Sequence, residues 1–144
     1  MSVKRVLIVD DDEDDRIFFQ DALIEVDPAV KCEIANNGQE ALVKLSSTPY
    51  PELIFMDLNM PIMNGFACLT EIKNRETIKD IPIIILTTTS DQKTVKQSYA
   101  LGASVYFKKP NDYPTIISKL RALLKMDFKS FSPPDESTLN SFAI

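Results

Sequence analysis

The sequence predicts an α/β protein, a parallel sheet with helices on both faces. Two observations carry this. Short apolar runs alternate with stretches of helical spacing five times along the chain. The first of these runs, Arg5 to Val9, is nearly all apolar and β-branched, as in a strand buried on both sides. Repeated βα units give parallel neighbours joined by right-handed crossovers, which leaves few topologies.

Arg5-Val6-Leu7-Ile8-Val9 is the first strand. Asp14 to Glu25 reads as a helix with Ile17, Phe18, Leu23 and Ile24 toward the core. Val30 to Ala35 is the second strand, and Asn36-Asn37-Gly38 a turn. Gln39 to Ser46 is a helix with Ala41, Leu42 and Leu45 inward. Pro49-Tyr50-Pro51 breaks the chain before the third strand, Leu53-Ile54-Phe55-Met56. Pro61 and Gly65 bracket a loop, with Gly65 shaping it, and Phe66 to Arg75 is a helix. Pro82 opens the fourth strand, Ile83 to Leu86; Asp91 to Leu101 is a helix, with Gly102 as its left-handed cap. Val105-Tyr106-Phe107 is the fifth strand and Tyr113 to Met126 the last helix. The pattern stops at Asp127, so residues 1–126 are expected to form one domain and 127–144 a tail, with no separate output domain.

Composition narrows the chemistry. A chain of 144 residues that is 44% hydrophobic can bury one proper core. Its net charge of −5 argues against direct nucleic-acid binding, which needs a basic face. No apolar run approaches the roughly 18–20 residues of a membrane span, and the N-terminus has no signal-peptide pattern. The expected location is therefore cytoplasmic. Cys32 and Cys68 sit in apolar settings and are expected to be buried free thiols. The chain has no histidine. That removes Ser-His-Asp and Cys-His catalysis and imidazole metal sites. The remaining chemistry runs on Asp, Glu, Lys, Thr, Ser and Tyr, or on an oxygen-bound hard cation.

In a parallel sheet, ligands sit at the carboxyl ends of the strands. Past strand one come Asp10 and Asp11; past strand three, Asp57; at the end of strand four, Thr87; past strand five, Lys109-Pro110. Three carboxylates, a hydroxyl and an ammonium thus converge on one edge. Two like charges 4 Å apart repel by about 4 kcal/mol at an effective dielectric near 20, so a proton or a cation is required. Hard oxygen ligands suit Mg²⁺, and a carboxylate beside it is a competent nucleophile toward phosphorus. Of the six acids from Asp10 to Asp15, the first pair lies at the strand end and reads as metal-binding. Asp12 to Asp15 read mainly as helix initiation, with Asp12 as the cap. Lys108 reads as a solvated surface lysine.

These residues resemble a response-regulator receiver domain of the single-domain chemotaxis-regulator type, over roughly Lys4 to Met126. The resemblance rests on Asp10-Asp11, Asp57 in DLNMPIMNG, Thr87 in ILTTTS, Tyr106, and Lys109-Pro110 after GASVYF. It implies a flavodoxin-like (βα)5 doubly wound sandwich with strand order 2-1-3-4-5. Asp57 would be the phosphoacceptor. Asp10, Asp11, Asp57 and the Asn59 backbone carbonyl would hold Mg²⁺, with Asp10 acting largely through water. Thr87 and Lys109 would hold the phosphoryl oxygens, and Tyr106 would be the switch aromatic, swinging inward as Thr87 moves. The Lys109–Pro110 bond would be cis. The implied partners are a histidine kinase or phosphotransfer protein and a downstream protein, with a homodimer as one output. Thr88 and Asn111 depart from the family's usual residues, a small one and an apolar one. Thr88 is expected to narrow access to Asp57, and Asn59 and Thr89 to tune the phosphoryl lifetime.

Rival readings remain. A phosphorelay shuttle or phosphate sink would use the same residues, as would a regulator paired with a sensor kinase such as a phytochrome. A metal-dependent phosphatase with an aspartyl nucleophile would need a second acid two residues on, but Asp57 is followed by Leu58-Asn59. A pseudo-receiver would lack Asp57, Lys109 or the acid pair, and all are present.

Overall fold

The computed structural model describes residues 3–88 and 91–126. The 127–144 tail and the lifetime role of Thr89 lie outside the described residues. Five strands and five helices alternate: β1 Arg5–Val9, α1 Glu13–Val26, β2 Lys31–Ala35, α2 Gly38–Lys44, β3 Leu53–Met56, α3 Gly65–Lys73, β4 Ile83–Thr87, α4 Gln92–Ala100, β5 Val105–Lys108, α5 Tyr113–Leu123. The strands form one sheet in the order β2-β1-β3-β4-β5, and all pairings are parallel.

The pleat divides the apolar runs between two cores. Leu7, Val9, Ile54, Met56, Ile83, Ile85 and Tyr106 face α2, α3 and α4. Val6, Ile8, Leu53, Phe55, Ile84, Leu86, Val105 and Phe107 face α1 and α5. On the second side, Phe19 meets Phe55 edge-on at 4.7 Å between ring centroids.

Each helix starts from an Asp or Asn. Asp12, Asn37, Asn64, Asp91 and Asp112 accept from the backbone N–H three residues on. Each bond satisfies a donor that helix geometry leaves orphaned. Gly102 follows α4 at φ +108°, the left-handed cap expected of it.

Three expectations need correction. In α1 the buried residues are Phe19, Ala22 and Leu23, while Ile17 and Ile24 are 48% and 44% exposed. The helix docks on the sheet and α5 through the 19/22/23 stripe, which turns Ile17 and Ile24 outward. The Lys109–Pro110 bond is trans; among the described residues the cis bond is Thr48–Pro49. Trans is the ordinary preference even before proline; the Lys109 N–H donates to the Thr87 carbonyl at 2.7 Å. Cys68 is a buried free thiol as expected, but Cys32 is only half-buried because β2 is an edge strand. Among the described residues, no helix is long and apolar enough to cross a membrane.

Candidate functional site

Register builds the site. Val9 pairs with both Ala35 and Met56, and the Asp57 N–H continues the ladder to the Val9 carbonyl at 2.9 Å. Asp10 and Asp57 therefore leave adjacent strands side by side. Met56 pairs with Ile85, and Ile85 with Tyr106. Thr87 lies two residues past Ile85, so the pleat puts it on the same face as Tyr106.

Ligand oxygens of Asp10, Asp11 and Asp57 lie within 4.8 Å of one another. Asp10 and Asp57 are buried at 1% and 8% exposure, and Asp11 is exposed. One oxygen of Asp10 accepts from the Asp12 N–H at 3.0 Å, and the Arg16 guanidinium donates to the Asp10 carbonyl at 2.8 Å. Asp57 accepts from the Asn59 N–H at 3.3 Å. Asp11 and Asn59 share an open cleft of about 580 Å³ with Pro61, Phe66 and Thr94.

Lys109 reaches into this group. Its ammonium donates to Asp10 at 2.9 Å, Asp15 at 2.8 Å and Asp57 at 3.3 Å. Burial alone would favour its neutral form. The bonds to Asp10 and Asp15 and the Asp57 charge outweigh that and raise its pKa above the ordinary lysine value. For Asp57 the balance differs. Burial pushes its pKa up to about 6, Asp10 adds to the rise, and Lys109 and the Asn59 N–H offset part of it. Asp57 is thus largely ionised at neutral pH while poorly solvated.

Thr87 is fully buried, and among the described residues its hydroxyl has no hydrogen-bond partner. A buried hydroxyl without a partner is costly and calls for an explanation. Tyr106 is 1% exposed, its ring packed inward. Burial, aided by the Asp91 charge, raises its hydroxyl to about 12, so it stays protonated. The Tyr106 N–H donates to the Tyr99 hydroxyl of α4 at 3.0 Å.

Asp10, Asp11, Asp57, Asn59, Thr87, Tyr106 and Lys109 lie at or beside this edge. The donor set fits a small hard cation: three carboxylates converge, and one ammonium is set against several negative charges. Sequence reasoning missed two features. Asp15, which the sequence assigns to helix initiation, accepts from Lys109 through its carboxylate; its place at N3, one turn past the strand end, is the available signal. Gly65 backs the site directly, because a Cβ there would collide with the Asp57 carbonyl oxygen. Lys108, Thr88 and Asn111 are exposed.

The model of the response regulator receiver domain family matches residues 6–121. The chain belongs to that family. It is 28% identical over 123 residues to the transcriptional regulatory protein PcoR of Escherichia coli, covering 85% of this chain and 52% of PcoR. It spans less than two thirds of the length of the first curated relatives it matches. A structure of the phosphorylated cyanobacterial phytochrome response regulator RcpA superposes with a TM-score of 0.79 at 25% identity, covering 93% of this chain and 100% of that one. The Mn²⁺-bound form of response regulator Rcp1 superposes with 0.75 at 26% identity, covering 92% and 99%.

Proposed function

We propose that the chain is a phosphorylation switch in two-component signalling, with Asp57 as the phosphoacceptor. One observation carries this: a buried, ionisable Asp57 stands between two further carboxylates and the Lys109 ammonium, and the buried Thr87 hydroxyl at the end of the neighbouring strand has no partner among the described residues. The donor is a phosphohistidine on a histidine kinase or phosphotransfer protein, since this chain has no histidine of its own.

An Asp57 oxygen attacks phosphorus. A P–O bond forms, the P–N bond breaks, and its electron pair returns to the donor imidazole. Asp10, Asp11 and Asp57 would hold Mg²⁺, with the Asn59 carbonyl as a further ligand. When bound, Mg²⁺ offsets the negative charge of these groups and of the phosphoryl oxygens. Lys109 gives an ammonium donor to a phosphoryl oxygen, and the Thr87 hydroxyl gives the second. That step gives the buried Thr87 hydroxyl a hydrogen-bond partner.

The output follows from Thr87 and Tyr106, which share one face of the sheet. Movement of Thr87 toward the phosphoryl group alters the space for the Tyr106 ring and biases the surface of α4, β5 and α5. Shifting such an equilibrium from 1:99 to 99:1 takes about 5.5 kcal/mol of differential stabilisation. The readout is partner binding or dimerisation; onward transfer as a relay or sink uses the same chemistry. The protein transforms no separate substrate. The phosphorylated RcpA relative and the Mn²⁺-bound Rcp1 relative support this reading by analogy.

The test is intact mass after acetyl phosphate treatment, with Mg²⁺ or chelator, on wild type and Asp57→Asn. One phosphoryl adduct requiring both Mg²⁺ and Asp57 is expected. An adduct that survives Asp57→Asn would overturn the assignment.

A further inference from the structure

We infer that Asp15 is a positioning residue for Lys109, sharing its ammonium at the rim of the carboxylate group so that its hold on Asp10 and Asp57 yields more readily to a cation. The inference rests on the function proposed above.

An ammonium has three donors. In this structure all three are used, on Asp10, Asp15 and Asp57, and the Asp15 bond is the shortest at 2.8 Å. Asp15 differs from the other two acceptors. It does not belong to the Asp10–Asp11–Asp57 carboxylate group. Its side chain is 45% exposed, while Asp10 and Asp57 side chains are 2% and 10% exposed. It therefore draws the ammonium outward. Its backbone is fixed, since its N–H donates to the Asp12 cap at 3.0 Å.

Without Asp15, the Lys109 side chain, only 14% exposed, would settle on Asp10 and Asp57 alone. A cation would then compete with it for those two carboxylates. A phosphoryl oxygen would likewise have to displace it from the acids rather than take over the donor aimed at Asp15.

The test compares Asp15→Ala, Asp15→Glu and Asp14→Ala in wild-type and Lys109→Met backgrounds. Asp14 is exposed on the same first turn, so its removal matches the loss of charge. Mg²⁺ affinity is read by calorimetry, and the saturating rate and half-saturation with acetyl phosphate by mass. Residues supporting a metal site from behind its ligands change affinity or rate by about 10–100-fold. Solvent screening of the half-exposed Asp15 lowers the expectation to roughly three- to tenfold for Asp15→Ala. Asp15→Glu should recover part of it, and in Lys109→Met the effect should shrink to under about 1.5-fold, as expected when two residues act through one contact.

An Asp15→Ala effect of equal size in Lys109→Met, or matched by Asp14→Ala, would reduce Asp15 to a remote charge and overturn the inference. One further readout needs neither metal nor phosphate. The Lys109 ammonium should give a slowly exchanging ¹H–¹⁵Nζ signal in wild type and Asp14→Ala and lose it in Asp15→Ala; its persistence in Asp15→Ala would overturn the inference. If wild type takes no phosphoryl group, the proposed function falls, while the ammonium signal still decides the role of Asp15.

Discussion

Gly65 packs against the backbone of Asp57 so closely that a Cβ on it would lie 2.7 Å from the Leu58 Cα and collide with the Asp57 carbonyl oxygen. The Gly65 N–H also donates to the Leu58 carbonyl at 3.0 Å. The start of α3 is thus the back wall of the acidic edge. Neither obstacle is a flexible side chain, so neither yields without moving the site.

Gly65→Ala is therefore expected to destabilise by about 1–3 kcal/mol, the usual cost of overpacking. It should also weaken Mg²⁺ binding, because Asp57 must shift. Urea unfolding and calorimetry check both. Unchanged stability would mean that the α3 start gives way freely.

Asp57→Asn is expected to stabilise the metal-free protein near pH 7. Asp57 has a folded pKa of about 6, raised from 3.8 chiefly by burial. The native state then holds the proton more tightly than the unfolded chain, so this group's contribution falls as pH rises from about 4 to about 6. The stability gap between variant and wild type should open across that window and stay flat above it. Two pKa units correspond to about 3 kcal/mol; coupling to Lys109 lowers the expectation to roughly 1–3 kcal/mol. A gap independent of pH would contradict the burial of Asp57.

Mg²⁺ affinity should fall below about pH 6. A carboxylate ligand must be ionised, and a proton on Asp57 competes with the cation. Calorimetric titration at pH 5 and pH 7.5 should show a loss of up to about tenfold per pH unit below the pKa. Equal affinities at the two values would place the cation away from Asp57.

Ile62 stands in the loop between Asp57 and α3 at φ +68°. The Met63 N–H donates to the Pro61 carbonyl at 2.6 Å, closing a γ-turn around Ile62. A β-branched residue is strained there, by about 1–3 kcal/mol. Ile62 is 75% exposed, so its side chain contributes little burial. Ile62→Gly is expected to raise stability by about 1 kcal/mol, after roughly 0.5–1 kcal/mol of added unfolded-state freedom. A lowered thermal midpoint would show that the exposed side chain makes a contact worth more than the strain.

β1, β3 and β4 were legible because each is a nearly continuous apolar run, whereas β2, with Lys31 and Glu33, showed only as an interrupted one. The acidic edge was legible for a related reason: Asp10, Asp57, Thr87 and Lys109 each fall at the end of such a run, and parallel strands put those ends together. The phase of α1 was not legible. Ile17, Phe18, Leu23 and Ile24 and the Phe19, Ala22, Leu23 stripe both satisfy helical spacing, and the contact with the sheet and α5 selected the second. The consecutive acids after Asp11 also concealed a division of labour. Asp12 caps the helix, whereas Asp15 reaches a lysine 94 residues away.

By itself the sequence determined the order of βα units, the two-sided burial of β1, β3 and β4, the lack of any imidazole chemistry and the placement of acids at the strand ends. These follow from local pattern and composition, which need no knowledge of neighbours. Only the tertiary structure decided that Asp15 holds Lys109, that Gly65 backs Asp57, that the Thr87 hydroxyl is left without a partner among the described residues, and that burial lifts Asp57 toward neutrality. Each depends on strand register and helix docking between segments far apart in the chain. A difference of one residue in register, or one helical step in rotation, would put the same side chains elsewhere.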